Sequence, residues 1–444
     1  MTRTPNPIGA LRDTPFAFGP NGELCCEGTP LSAVAHDFGT PTYVYSERAI
    51  VQAYQSFAQA SQHRRVQICY ALKANPNIAI ISLLAKLGAG FDIVSAGELQ
   101  RVLAAGGRAD RVVFSGVGKR RDEIQQALQA GVKCINVESE AELHRISEVA
   151  QSCNTHAPIS LRVNPNIDAK THPYISTGLK ENKFGVPIEE ALELYRLATR
   201  LPGITVCGLD CHIGSQITEL QPFLDALDAV LALTQRLHEA GIAIDHLDLG
   251  GGLGICYDQE TPPPPQVFME HVLARLDQWS ARTGQALPEI LFEFGRAIVG
   301  NAGLLLSTVE LLKPGPFKNF AVIDAAMNDL MRPSLYDAWH NVVPVVPQAS
   351  APLKWDLVGP VCESGDWIAK DRQIALAPGQ LLAILSAGAY GMSMSSHYNS
   401  RPRAAEVLID NEGRPHLIRR RERMEELYAQ ERIPVHVRTS DQTD

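Results

Sequence analysis

Two hydrophobic rhythms alternate along residues 66–293. Short runs rich in apolar and β-branched residues predict strands at 66–72, 91–94, 112–115, 134–137, 159–163, 205–212, 246–249 and 290–293. Between them the apolar positions fall at helical spacing, and several stretches open on a start signal. Ser95-Ala96-Gly97-Glu98 and Ser139-Glu140-Ala141-Glu142 read as capping boxes, and Pro187 suits a first helical position. Eight strands, each followed by a helix over about 230 residues, predict an α/β fold of the (β/α)8 TIM-barrel type. A doubly wound sheet is the alternative, but it more often shows fewer strands and a glycine-rich first turn.

The flanks follow a different rhythm. Phe16-Ala17-Phe18 and Glu23-Leu24-Cys25-Cys26 enclose Gly19-Pro20-Asn21-Gly22, a hairpin turn cluster. Ser46, with Glu47 behind it, reads as the N-cap of a helix carrying Ile50, Val51, Tyr54, Phe57 and Ala58. Beyond 300 the β-like runs are 304–312, 321–323, 355–361, 374–376 and 381–385. Runs 406–409 and 416–418 bracket Asp410-Asn411-Glu412-Gly413 as a hairpin. Segments 1–40 and 301–444 are therefore expected to build one discontinuous β domain, sandwich- or barrel-like, beside a barrel at 41–300. Prolines mark 261–265 and 341–354 as loops. The run from Arg419 to Glu426 mixes charge signs and reads as a solvated helical tail.

Composition narrows the class of function. Of 444 residues, 45% are hydrophobic and 20% charged, the balance of a globular enzyme. A net charge of −9 argues against a broad phosphate-backbone footprint, so no nucleic acid partner is expected. No apolar run reaches the ~18–20 residues of a membrane span, and Met1 to Pro15 lacks the basic-then-apolar order of a signal peptide. A cytoplasmic location without a membrane partner is the expectation. Nine scattered cysteines, an odd count, argue against a disulfide framework. Cys207, Cys211 and His212 lie in an apolar strand with no second ligand pair at finger spacing, so no metal is expected there.

Polar residues gather where such a barrel places its chemistry, at the C-terminal strand ends. These ends carry Lys73, Asp92, Ser95, Ser115, Asn136, Arg162, Asn164, His212, Gly250-Gly251-Gly252, Glu293 and Arg296. Lys73 closes an apolar strand, and Asn75-Pro76 turns the chain away behind it. A partly desolvated amine there should have a lowered pKa and act as a nucleophile toward an aldehyde. A strand-end lysine that snorkels into solvent is the simpler alternative. The three glycines allow backbone N–H groups to close on a phosphate, although a glycine run also serves a tight turn. Glu293 and Arg296 fit a ligand site or a structural ion pair, and His212 fits a stacking ring or a core histidine. Together, an imine-forming lysine, a phosphate nest, a carboxylate for a ring nitrogen and a flat imidazole meet the needs of pyridoxal 5'-phosphate.

The motifs Tyr70-Ala71-Leu72-Lys73-Ala74-Asn75, His212-Ile213-Gly214-Ser215, Gly250-Gly251-Gly252, Glu293-Phe294-Gly295-Arg296, Cys362-Glu363-Ser364-Gly365-Asp366 and Gly388-Ala389-Tyr390-Gly391 occur in that order. With Thr171 to Gly178, Met331 to Tyr336 and Tyr398 to Arg403, they give a chain that resembles the diaminopimelate decarboxylases from about Pro41 to Leu427. That family lies within the fold-type III pyridoxal phosphate enzymes. The resemblance implies that Lys73 holds the cofactor, His212 stacks on its ring and Glu293 meets its nitrogen. It further implies that Asp92, Ser215, Gly250, Gly251, Gly252, Gly295, Arg296 and Tyr390 surround the cofactor. Gly252, Arg296 and Tyr390 would lie about its phosphate. Arg296, Arg332, Tyr336, Glu363 and Tyr390 would bind substrate. Cys362, also catalytic, and Glu363 would enter from the partner subunit of a homodimer. One departure is Phe294, where proline is commoner.

The implied reaction is decarboxylation of meso-2,6-diaminopimelate to L-lysine and CO2, the last step of lysine biosynthesis. The alternatives are a decarboxylase of arginine, ornithine or a carboxylated polyamine such as carboxynorspermidine, and a non-catalytic pyridoxal phosphate-binding protein. Arg332 argues for a substrate with a distal carboxylate. The presence of both Cys362 and Glu293 argues for catalysis.

Overall fold

A computed structural model describes residues 11–168, 177 and 182–437. Eight parallel strands form a closed barrel: β1 (Val66–Ala71), β2 (Gly90–Ile93), β3 (Val112–Phe114), β4 (Cys134–Val137), β5 (Ala157–Asn164), β6 (Ile204–Asp210), β7 (His246–Asp248) and β8 (Glu289–Phe294). Each pairs with the next in chain order, and β8 returns to β1 in a register from Ile290↔Val66 to Phe294↔Tyr70. Closure excludes the doubly wound alternative. Strands buried on both faces need apolar residues throughout, so they read as continuous runs rather than alternating ones.

The helices begin at the serines the pattern marked. The hydroxyls of Ser46, Ser95 and Ser139 accept from the backbone N–H groups of Ala49, Glu98 and Glu142. The glutamates of the two predicted capping boxes reach one residue further back. Glu98 accepts from the N–H of Val94 at 2.7 Å, and Glu142 from that of Glu138 at 2.8 Å. Pro187 does not start a helix. Val186–Pro187 instead pairs with Val163 and Asn164 of β5, and the helix opens later, at Ala191.

The second sheet runs in the order Trp367–Ile374, Leu353–Val358, Phe320–Ile323, Gly303–Lys313, Thr42–Ser46, Ala405–Ile409, Pro415–Arg419. Thr42–Ser46, inside the segment expected to build the barrel, therefore lies in this sheet, between Gly303–Lys313 and Ala405–Ile409. The strand predicted at 374–376 runs earlier, over 367–374. Val342–Pro344, expected as loop, pairs with Leu381–Ile384, and its proline is tolerated as the last residue of a short strand. The hairpin at 16–26 is present, and Leu24 donates to the Val345 carbonyl, tying it to this second layer. The predicted helical tail is reduced to one 3-10 turn, Met424–Leu427, after a strand that ends at Arg419. No helix among the described residues is long and apolar enough to cross a membrane.

Two contacts lock the second sheet over the barrel mouth. Tyr390 donates its N–H to the Ala74 carbonyl at 2.8 Å, and Asn75 donates its amide to the Gly388 carbonyl at 3.2 Å. Buried Glu406 accepts from Tyr45 and Asn77 and pairs with Arg419. Loop 388–390 is thereby fixed against the turn that carries Lys73.

Candidate active site

Lys73 follows β1 in a one-turn 3-10 segment, Leu72–Ala74, which lifts its amine into the barrel mouth. The Nζ donates to Asp92 Oδ2 at 2.7 Å, with 35% of the Lys73 side chain exposed. Burial works against the ammonium, but Asp92, then Glu293 and the Tyr390 hydroxyl, hold its pKa above the ordinary lysine value. The expected lowering is thus reversed, because carboxylates and not apolar walls surround the amine.

Glu293, on β8, is buried and accepts from Ser115 Oγ at 3.4 Å. Asp210, Asp248 and Glu293 bring their carboxylate oxygens within 4.8 Å of one another. Burial, followed by Asp248, Asp92 and Asp210, raises the Glu293 pKa well above the ordinary carboxylate range. Like charges packed this tightly favour either a shared proton or an added cation. Asp248 accepts from the Gly250 N–H at 2.9 Å, so the same carboxylate that crowds Glu293 also shapes the glycine turn.

That turn is a cradle with no room for side chains. A Cβ at Gly251 would lie 2.0 Å from the Glu293 carbonyl oxygen, and one at Gly252 would lie 2.3 Å from the Gly214 carbonyl oxygen. Gly252 also has φ of 103°, open to glycine and strained for other residues. The Gly251 N–H donates to His212 Nδ1 at 3.1 Å, which makes Nδ1 an acceptor and fixes a neutral ring. Burial, then Arg162 and Lys73, push the His212 pKa well below its ordinary value.

Arg296 is buried beside this turn, donating to Ser215 Oγ at 3.0 Å and Tyr257 Oη at 2.5 Å, with its guanidinium 4.7 Å from the Tyr390 ring centre. Its Nε is buried without a hydrogen-bond partner among the described residues, as is Oδ1 of Asp92. Gly295 permits the close approach of β8 to the Lys73 turn, since a Cβ there would meet Ala74 Cβ at 2.9 Å. Phe294 turns outward, stacking on Phe57 at 4.0 Å and on Phe292 at 5.4 Å. The aromatic in the proline position thus serves helix–barrel packing.

The cradle, the orphan Arg296 Nε, the accessible amine and the crowded carboxylates fit pyridoxal phosphate. An anion suits the first two, a carbonyl the third and a cationic ring nitrogen the last. The model of the pyridoxal-dependent decarboxylase pyridoxal-binding domain matches residues 47–300. The sequence is 55% identical over 413 residues to diaminopimelate decarboxylase of Pseudomonas aeruginosa, covering 93% of this chain and 98% of that one. This chain belongs to the diaminopimelate decarboxylases. As a member it is a pyridoxal phosphate-dependent carbon–carbon lyase. Two solved diaminopimelate decarboxylases, both complexed with L-lysine, share its architecture. That of Helicobacter pylori is 44% identical with a TM-score of 0.85 over 90% of this chain and 99% of its own. That of M. jannaschii is 36% identical with a TM-score of 0.91 over 96% and 99%.

The remaining expected residues fall into two groups. Arg332 and Tyr336 begin and end a single helical turn, and buried Arg332 packs 4.7 Å from the Tyr257 ring centre. Cys362 and Glu363 are exposed. The Cys362 N–H donates to Asn399 Oδ1 at 2.8 Å, and Glu363 accepts from the Tyr398 hydroxyl. Thr177 donates its hydroxyl to the His212 carbonyl at 2.9 Å, while the rest of the Thr171–Gly178 motif lies outside the described residues. Sequence reasoning missed Tyr257 and His340, which touch Arg296 and Arg332. Neither sits at a strand end or in a recognisable motif, so no local signal marked them.

Proposed function

We propose that the residues gathered at the barrel mouth divide the decarboxylation of meso-2,6-diaminopimelate to L-lysine and CO2 as follows. Lys73 would hold the cofactor through its amine. Gly252, Ser215 and Arg296 would hold its phosphate, with Gly250 and Gly251 shaping the turn through Asp248 and His212, Tyr390 over the Arg296 guanidinium and Gly295 leaving the space. The uncharged His212 ring would pack against the cofactor, and Glu293 would pair with its ring nitrogen. Pyridoxal phosphate, when bound, supplies the electron sink for the pair left behind by the departing carboxylate. Asp92 keeps the Lys73 amine oriented and retains a proton on it when it is free.

The substrate's far end decides specificity. Arg332 is buried, and its guanidinium donates to a neutral imidazole, His340 Nε2, at 3.0 Å. Among the described residues no carboxylate pairs with it. A guanidinium buried without a counterion is costly, and an incoming carboxylate removes that cost. This observation favours diaminopimelate over ornithine or arginine, whose distal groups are cations. Tyr336, at the other end of the same helical turn, would contact the same carboxylate.

The site works in a cytoplasmic homodimer. Cys362 and Glu363, exposed on their own chain, complete the neighbouring copy's site. Glu363 meets the distal ammonium, and Cys362 delivers the proton that replaces CO2 on the reacting carbon. The test is Arg332→Met. The holoenzyme should lose diaminopimelate turnover mainly through KM, with the cofactor still bound. Unchanged KM would refute the role of Arg332.

A further inference from the structure

Arg332 is held by a rigid bracket of two uncharged rings. The His340 ring offers Nδ1 to the Leu385 carbonyl at 2.8 Å. A carbonyl only accepts, so Nδ1 carries the hydrogen and Nε2 presents its lone pair to Arg332 Nη1 at 3.0 Å. The bracket residue itself is anchored by the buried Arg372, which donates to the His340 carbonyl at 3.0 Å. Burial, then Arg332, hold the His340 pKa down at about 3, so the acceptor persists across the working range.

Tyr257 forms the other arm. Its ring centre lies 4.7 Å from the Arg332 guanidinium, and its hydroxyl accepts from Arg296 Nη1 at 2.5 Å. His340 meets the ring edge-on, at 5.2 Å and 80°. The Tyr257 backbone is pinned at both ends, its N–H donating to Glu260 at 3.0 Å and its carbonyl accepting from Asn341 at 3.0 Å. One ring thus touches both arginines, the one at the glycine cradle and the one at the substrate's far end. Neither bracket residue offers a negative charge, so the guanidinium is oriented without being neutralised.

We propose, on the role of Arg332 given above, that Tyr257 and His340 are positioning residues that aim its guanidinium at the substrate's distal carboxylate and so set selectivity for amino acids that carry one. The product retains that carboxylate, whereas 1,5-diaminopentane has the same two amines and none. Their relative affinities for the holoenzyme therefore read the aim of Arg332 without turnover.

Calorimetric titration of wild type, His340→Leu, His340→Gln, Tyr257→Leu and Arg332→Met with both ligands tests this. His340→Leu and Tyr257→Leu should each weaken L-lysine about tenfold, equivalent to ~1.4 kcal/mol, while 1,5-diaminopentane changes less than about twofold. His340→Gln, whose amide oxygen can still accept from Arg332, should recover most of the loss. Equal weakening of both ligands would mean general damage to the site and would overturn the proposal. So would unchanged selectivity in His340→Leu and Tyr257→Leu. Arg332→Met separates the two levels. If it keeps the L-lysine preference, the role of Arg332 is wrong; if it loses that preference and the bracket variants keep it, only the bracket is wrong. Should His340→Leu yield no soluble holoenzyme, Tyr257→Leu carries the same prediction.

Discussion

The Lys73 amine and the Asp92 carboxylate meet at 2.7 Å, and this pair governs how readily the amine becomes a nucleophile. Asp92 and Glu293 hold the Lys73 pKa above its ordinary value against the effect of burial. Attack on an aldehyde needs the free amine, so cofactor loading of the ligand-free protein should accelerate as pH rises. Asp92→Asn removes a charge that favours the ammonium, and the same loading rate should be reached at lower pH. Stopped-flow absorbance on adding pyridoxal phosphate reads this. Superimposable pH profiles for wild type and Asp92→Asn would contradict it.

Glu293→Gln should keep cofactor affinity within a few-fold and lower kcat by about 10²-fold, the scale of one preorganised electrostatic contact. The amide still fits beside Ser115 but no longer supports a positive ring nitrogen. A kcat near wild type would give Glu293 another role.

Much of this is legible in the sequence because the barrel writes itself twice, once in hydrophobic rhythm and once in polar strand ends. Asp92 and Glu293 sit in the last two residues of their strands, and Lys73, His212 and the Gly250 turn come within two residues after theirs, so locating the strands locates them. Pro187 misled because a proline at a predicted helix start also suits the edge pairing with Asn164 that the chain adopts. Thr42–Ser46 misled because its partners, Leu304 and Val407 among them, lie more than 250 residues away. Tyr257 and His340 were invisible for a related reason. Their importance comes from packing against Arg296 and Arg332, and no periodicity encodes such a contact. The direction of the Lys73 shift is not legible in the sequence either, since it depends on how close Asp92 and Glu293 come.

Gly251→Ala should abolish stable cofactor binding. The added methyl would collide with the backbone of Glu293, an atom that cannot swing away, and the strand end or the cradle must move. Spectral titration with pyridoxal phosphate checks this, and a wild-type affinity would show that the cradle can open to admit a methyl group.

Exposure of Cys362 on its own chain leads to a mixing experiment. Lys73→Ala and Cys362→Ala proteins, each inactive, should regain up to about a quarter of full activity when equal amounts exchange subunits, because mixed dimers carry one intact site. Mixed dimers that form and stay inactive would place Cys362 in its own subunit's site or outside catalysis.

The most direct measurement is of products from a substrate panel. Purified holoenzyme offered meso-2,6-diaminopimelate should release L-lysine and CO2 in equal amounts. Ornithine, arginine and L-lysine should be turned over at least about 100-fold less efficiently, a difference of ~2.7 kcal/mol in transition-state stabilisation. Comparable or faster CO2 release from a substrate with a cationic distal group would contradict the assignment of buried Arg332 as the reader of a distal carboxylate.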